Sequence, residues 1–276
     1  MKDATPLGVR AGRLAFALAL ATITIGPVLW LLSVSLKTQR EYSASPFGLP
    51  TELRAENYVS ILTDSGFLRF AWNSVLVTSS SVLIILVLST LAAYALARLE
   101  FAGNRVLFVA YLFGNVIPIF LILLPLYVLL ARTGLGGTLL SLVLAYTAAS
   151  LGISILVLRS YFRNIPANLE DAAQIDGCNT LQIIWYVMMP VIRPGMVVVA
   201  VFNMFSIWNE YFLAAFLLPS QKAFTLPPGL AASFSSEYAT NWPGMAAGIL
   251  LSAVPLILVF AFAQDKIVQG FSFGSK

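Results

Sequence analysis

The sequence predicts an all-α integral membrane protein with six transmembrane helices. Three observations carry that reading. Hydrophobic residues fill 59 % of the 276 positions and charged residues only 10 %, against roughly 25 % charged in a typical soluble domain. Mean hydropathy is +0.88. The apolar residues gather into blocks close to the ~20 residues that cross a hydrocarbon core, and no alternation of the strand type competes with them. A backbone in lipid must satisfy its own hydrogen bonds, which leaves the helix as the spanning element.

The blocks are read in order as spans at 14–36, 72–97, 106–130, 138–158, 196–218 and 245–263. Lys2, Arg10 and Arg13 give the first block the basic flank of a signal peptide. Its apolar run of about 22 residues exceeds the usual 7–15 of such a peptide, so a retained span is expected. Pro118 and Pro125 predict kinks in the third span. The fourth carries Thr147, Ser150 and Ser154 on one face. The fifth carries Asn203, Ser206 and Glu210 at i, i+3 and i+7, beside Trp208 and Asn209.

An even number of spans puts both termini on one side. With the termini inside, the inner segments hold Lys2, Arg10, Arg13, Arg98, Arg105, Arg159, Arg163, Arg193, Lys266 and Lys276. The outer ones hold Lys37, Arg40, Arg54, Arg69, Arg132 and Lys222. That excess favours cytoplasmic termini. The outer loops are then 37–71 and 219–244, both long enough to dock a partner. The net charge of +4 is explained by this topology rather than by nucleic-acid binding. Cys178 is the single cysteine and histidine is absent, which excludes an internal disulfide, histidine metal ligation and histidine catalysis.

The inner segment 159–195 has helical signals of its own. Pro166 suits a first helical position. Glu170 and Asp171 then lie near the positive end of the helix dipole. Gly177 fits the left-handed position that ends a helix. Asn179 and Gln182 form the cap of a second short helix, limited by Pro190 and Pro194. Two short helices joined by a sharp turn are expected at the membrane face. By physics alone, an amphipathic connector resting on lipid headgroups fits equally well.

The run Glu170-Asp171-Ala172-Ala173-Gln174-Ile175-Asp176-Gly177, followed by Pro190 and Pro194, resembles the EAA loop of permease subunits of ATP-binding-cassette importers. Asp171 stands where that family usually has Glu, Cys178 where a small residue such as Ala is common, and Ile184 where Phe is frequent. Further stretches resemble the carbohydrate-type branch: Glu56-Asn57-Tyr58 with Asn73-Ser74, Tyr94-Ala95-Leu96-Ala97-Arg98 with Phe101 and Gly103, Trp208-Asn209-Glu210, and the closing run from Gln264 to Gly270.

The resemblance implies a type I importer permease in a prokaryotic inner membrane, working beside a second permease, two ATPase subunits and an extracytoplasmic solute-binding protein. It implies that Glu170, Asp171, Ala172, Ala173, Asp176 and Gly177 couple to the ATPase, and that this chain binds no cofactor, ATP and Mg being held by the partners. No lysine follows a glycine here, as a phosphate-binding P-loop would require.

Ionisable and polar groups at membrane depth face a bundle interior or a pathway. Asn203, Ser206, Asn209, Glu210, Tyr111, Asn115 and Ser150 are therefore candidates for lining the route of a solute. Hydrogen bonding to a neighbouring helix or to the partner permease is the alternative. Amides, carboxylates and aromatic rings suit sugar hydroxyls, and the absence of basic residues from the expected spans leans towards a neutral sugar. An ion-coupled transporter, a channel or a membrane enzyme remain competing classes; none has a visible repeat, coupling-ion site or convergent polar cluster in its favour.

Overall fold

The computed structural model describes residues 7–64, 66–114, 116–234 and 241–273. Among these the regular structure is helical throughout. The chain divides into two compact units, one of Met1–Leu68 with Leu230–Val254 and the other of Arg69–Gly229 with Pro255–Lys276.

The first unit opens on α1 (Leu7–Ser35), followed by the short helices α2 (Gln39–Ala44) and α3 (Glu56–Asp64). Helix α1 is apolar over most of its circumference from Leu14 onwards, and within its membrane-length stretch Gly12–Ser35 burial is confined to the C-terminal end, at Val34 and Ser35. This is the pattern of a membrane-spanning helix. Past Ser35 the backbone is tied down by side chains. Asn57 donates to the carbonyls of Ser35 (2.8 Å) and Lys37 (2.9 Å), and the Ser35 and Tyr58 hydroxyls lie 2.7 Å apart. Trp242 donates its N–H to Gln39 (3.1 Å), and its ring meets Tyr42.

The second unit holds most of the membrane-length helices. Helix α4 (Phe67–Arg98) runs into it; α5 (Asn104–Gly114), α6 (Ile119–Arg132), α7 (Leu139–Arg163) and α8 (Asn168–Ile175) follow. A continuous helical run then covers α9 (Thr180–Gln182), a π-helical stretch at Ile183–Met188 and α10 (Met189–Trp208). The short α11 (Phe212–Leu217) and a 3₁₀ turn at Gln221–Ala223 lead to α12 (Leu226–Phe234), and α13 (Trp242–Phe273) closes the described chain. The core lies where α4, α7 and α10 meet: Ile85, Tyr94, Leu142, Ile155, Leu158, Phe162, Met188, Ile192 and Val199 are all buried there. Gly195 permits the approach of α7 to α10, because a Cβ at that position would stand 2.8 Å from the Tyr161 ring.

Three expectations need correction. The stretch 106–130 is two helices, α5 and α6, turned by 100° at the break between them. Pro118 caps α6, because the residue before a proline avoids helical geometry, whereas α6 continues through Pro125. The stretch 196–218 is also interrupted, between Trp208 and Phe212.

The third correction concerns the second short helix of the inner segment. It does not stop at Pro190 and Pro194 but merges with α10 into one apolar stretch, Thr180–Trp208. The π turn makes this possible: a proline lacks an N–H and crowds the carbonyl four residues back. Widening the helix just before Pro190, with the Met189 N–H reaching back to Ile184 O, relieves that crowding. Among the described residues, five helices are long and apolar enough to cross a membrane, or six if the bent α5–α6 pair is one span.

Candidate functional site

The connector between α7 and the π turn centres on α8. Its start lies later than the sequence suggests: Ala167 is the N-cap, so Pro166 precedes the helix rather than opening it. The C-terminus is a Schellman closure, with the Cys178 N–H on Ala173 O and the Gly177 N–H on Gln174 O, both at 3.0 Å. That closure needs a left-handed residue, and Gly177 has φ +82° with open space where a Cβ would be. Asn179 and Gln182 then form a complete capping box, at 3.0 and 2.8 Å. The turn between the two helices is therefore fixed by local chemistry alone.

Long-range contacts orient α8. Glu170 and Ala173 face inwards and are buried. The Arg98 guanidinium, at the end of α4, forms an ion pair with Glu170 (Nε to Oε1 2.8 Å). The Tyr94 hydroxyl, one turn earlier, donates to Glu170 Oε2 at 3.3 Å, and its ring packs edge-on against Phe162. Arg98 also donates to Ile165 O at 2.5 Å, and Arg159 on α7 donates to Leu96 O at 3.1 Å while lying over the Phe108 ring. The ends of α4 and α7 thus exchange arginines, each satisfying a carbonyl left over where a helix stops. The opposite face of α8 is uncovered among the described residues. Asp171, Ala172, Gln174, Asp176 and Gly177 are exposed, and Ile175 shows 87 % of its surface.

The polar residues of the fifth apolar stretch separate into two groups. Asn203 is 1 % exposed and donates to Ser154 Oγ (3.0 Å) and to Val199 O (2.8 Å), which joins α10 to α7. Glu210 does not continue the helical face of Asn203 and Ser206, since α10 ends at Trp208. Its carboxylate instead caps the next helix, accepting from the N–H groups of Leu213 (2.8 Å) and Ala214 (3.2 Å), and it accepts the Tyr146 hydroxyl at 2.7 Å. A carboxylate at the first turn satisfies amides that have no helical partner. Ser206 and Asn209 are exposed, Asn209 bonding back to Phe205 O.

Tyr111 lines an open cleft of about 740 Å³ between α5, α6 and α7, walled by Pro118, Ile122, Ala145, Ala149 and Gly152. Ser150 is half-buried on α7, and Asn115 lies outside the described residues.

Sequence reasoning missed Tyr146, Tyr94 and Arg98 as partners of the two glutamates. Tyr146 gives no signal in an apolar helix. Tyr94 and Arg98 open and close the family-like run Tyr94-Ala95-Leu96-Ala97-Arg98, and their spacing of four residues on one helical face was the available clue. Asn73 and Ser74 also act at long range: Asn73 donates to the carbonyls of Lys222 and Phe224 (3.2 and 2.9 Å), and Ser74 accepts the Leu226 N–H (2.8 Å).

Several apolar helices of membrane length, with a short capped helix between two of them, describe a multi-pass membrane protein. Residues 85–272 match the family described as binding-protein-dependent transport system inner membrane component, and the chain belongs to that family. It is 37 % identical over 92 % of its length to the diacetylchitobiose uptake system permease protein NgcG of Streptomyces coelicolor, covering 85 % of that protein. It is 32 % identical over 96 % of its length to the trehalose transport system permease protein SugB of Mycobacterium tuberculosis, covering 98 % of that protein. Its fold is similar to a chain in the crystal structure of a bacterial ABC transporter involved in the import of the acidic polysaccharide alginate (TM-score 0.81, 24 % identity, 95 % of this chain and 98 % of that one). The chain is a multi-pass membrane protein and the permease subunit of a binding-protein-dependent importer, a transport component rather than an enzyme.

Proposed function

We propose that this permease forms half of the pathway for a sugar or sugar-like solute and is driven by a separate ATPase that engages α8. The observation that carries the coupling role is the two-sidedness of α8. Its inner face is fixed to α4 through Glu170, Arg98 and Tyr94, while Asp171, Ala172, Asp176 and Gly177 are exposed. A helix held from behind transmits a push to the spans it is fixed to, and a free face can receive it. ATP binding then biases the permease through a rigid contact, which is a population shift. A second permease, two ATPase subunits and an extracytoplasmic solute-binding protein complete the machine, in a prokaryotic inner membrane with the termini and α8 on the cytoplasmic side. ATP and Mg belong to the partners.

The solute class is supported by the relatives, which are named for diacetylchitobiose and trehalose uptake. Exposed Ser206 and Asn209 are the groups of the fifth stretch best placed to meet such a solute. Asn203 and Glu210 act mainly by shaping the helices around them.

The test is Asp176→Arg in the assembled complex. Uptake and ATPase stimulation by the loaded binding protein should both be lost while the subunit remains in the membrane. Normal uptake would remove α8 from the coupling path. A ligand screen on the companion binding protein identifies the solute independently.

A further inference from the structure

Helix α4 is gripped at both of its ends, and coupling at α8 uses only one of them. Near its start, the Asn73 side-chain amide donates to the carbonyls of Lys222 (3.2 Å) and Phe224 (2.9 Å). An amide nitrogen carries two protons, and both are used on one short stretch of chain. Ser74 Oγ accepts the Leu226 N–H at 2.8 Å. One turn earlier the Phe70 ring lies so close to Gly229 that a Cβ there would strike it. Asn73 is 7 % and Ser74 2 % exposed, so these bonds are shielded from competition with water. The stretch 222–226 is therefore held to the first turns of α4 rather than looped past it.

At the other end, Tyr94 and Arg98 hold Glu170 of α8. The rise from Asn73 to Arg98 is about 38 Å at ~1.5 Å per residue, more than the ~30 Å of a hydrocarbon core. The two grips therefore stand on opposite sides of the membrane. The helix between them is unbroken and contains neither proline nor glycine, which are among the usual sources of a sharp kink. Helices α1, α6, α10 and α13 each contain proline. An unbroken helix held by side chains at both ends carries a displacement of one end to the other.

We propose that Asn73 is a positioning residue through which the solute-binding protein, seated over the stretch 222–226, acts on the ATPase. The binding protein displaces that stretch, the Asn73 amide passes the displacement to α4, and α4 passes it to α8. This rests on the reading of α8 as the ATPase contact and adds the route by which a signal reaches it from the far side of the membrane. The chemistry suits the task. Both donors of Asn73 go to backbone carbonyls, so the grip follows the position of the main chain whatever side chains a partner touches. Gln221 and Lys222 are exposed and are the side chains such a partner would meet.

The test uses the assembled complex in phosphatidylethanolamine–phosphatidylglycerol nanodiscs, with the companion binding protein saturated with diacetylchitobiose or trehalose, whichever it binds more tightly. Basal ATP hydrolysis, maximal stimulation by the binding protein and the concentration giving half of it are measured. The native subunit is compared with Asn73→Ala and with Asn73→Asp, whose carboxylate keeps the shape of the amide but meets both carbonyls without a donor. Maximal stimulation should fall several-fold in both variants, with basal hydrolysis unchanged. Unchanged maximal stimulation overturns the proposal. A shift in the half-saturating concentration alone makes 222–226 a docking contact and overturns it equally. If basal and stimulated rates fall together, a tether decides. In a Cys178→Ala background, Asn73→Cys and Lys222→Cys are joined by a short bifunctional methanethiosulfonate; the joined complex should regain stimulation, and reductant should remove it. No recovery on joining overturns the proposal. Asp176→Arg, run in parallel, separates the two readings. If it leaves uptake normal, the ATPase contact of α8 falls and this route with it; if it abolishes uptake while Asn73→Ala has no effect, only the route falls.

Discussion

Arg98 Nε lies 2.8 Å from Glu170 Oε1, and this ion pair joins the end of α4 to the first turn of α8. Both side chains are mostly buried, at 14 % and 11 % exposure, so the pair is little screened. It fixes the orientation of the face that α8 leaves exposed.

Arg98→Met should therefore leave Glu170 as a buried, unmatched carboxylate. Removing one partner of a fully buried pair costs roughly 3–5 kcal/mol, and residual exposure lowers this to about 2–3 kcal/mol. The expected phenotype is a subunit that inserts but transports poorly, with the thermal unfolding midpoint of the complex reduced. Combining Arg98→Met with Glu170→Gln should recover stability relative to Arg98→Met alone, because the orphan charge is gone. An additive loss in the double variant would mean that the two groups are not coupled.

Gly177 makes a separate prediction. Its φ of +82° with empty space around it means that only backbone conformation is at stake. Gly177→Ala should cost about 1–2 kcal/mol of local strain and reduce uptake moderately. Gly177→Pro, whose ring forbids that φ and removes the N–H that closes α8, should abolish ATP-coupled uptake with membrane levels unchanged. Uptake assays with matched immunoblots distinguish these outcomes.

Glu210 and Tyr146 should behave as one unit. Glu210→Gln turns an amide towards the N–H groups it formerly accepted and leaves a donor unsatisfied, at a cost of about 1–3 kcal/mol. The break before α11 should loosen, and stability should fall together with turnover. Tyr146→Phe alone should cost less, and in the Glu210→Gln background close to nothing. A solute affinity that changes with stability unaffected would instead make Glu210 a direct solute contact.

Lys37→Met should release the 45–48 turn, because the carbonyls of Ser45, Pro46 and Gly48 lose their shared donor at once. Limited proteolysis of the reconstituted protein should then cut between 38 and 50, where the native turn resists. Lys37→Arg should rescue little, since a planar guanidinium cannot place its donors as a compact ammonium does.

The sequence by itself determined the class of the protein. Spans are legible because each apolar block must meet the thickness of lipid on its own. The turn at Gly177 and the Asn179–Gln182 cap are legible because their hydrogen bonds close within a few residues. Tertiary structure alone decided where the polar groups point. Glu210 extends the face of Asn203 and Ser206 only in a continuous helix, and the break after Trp208 is held in part by the bond from Tyr146 to Glu210, sixty-four residues apart. Glu170 lies in a run that reads as surface, yet Arg98 and Tyr94, more than seventy positions away, draw it inwards. Lys37 reads as an ordinary loop cation until three carbonyls close around it. Local patterns report what a segment must bury; they do not report which distant partner satisfies a charge, because that depends on contacts the fold creates.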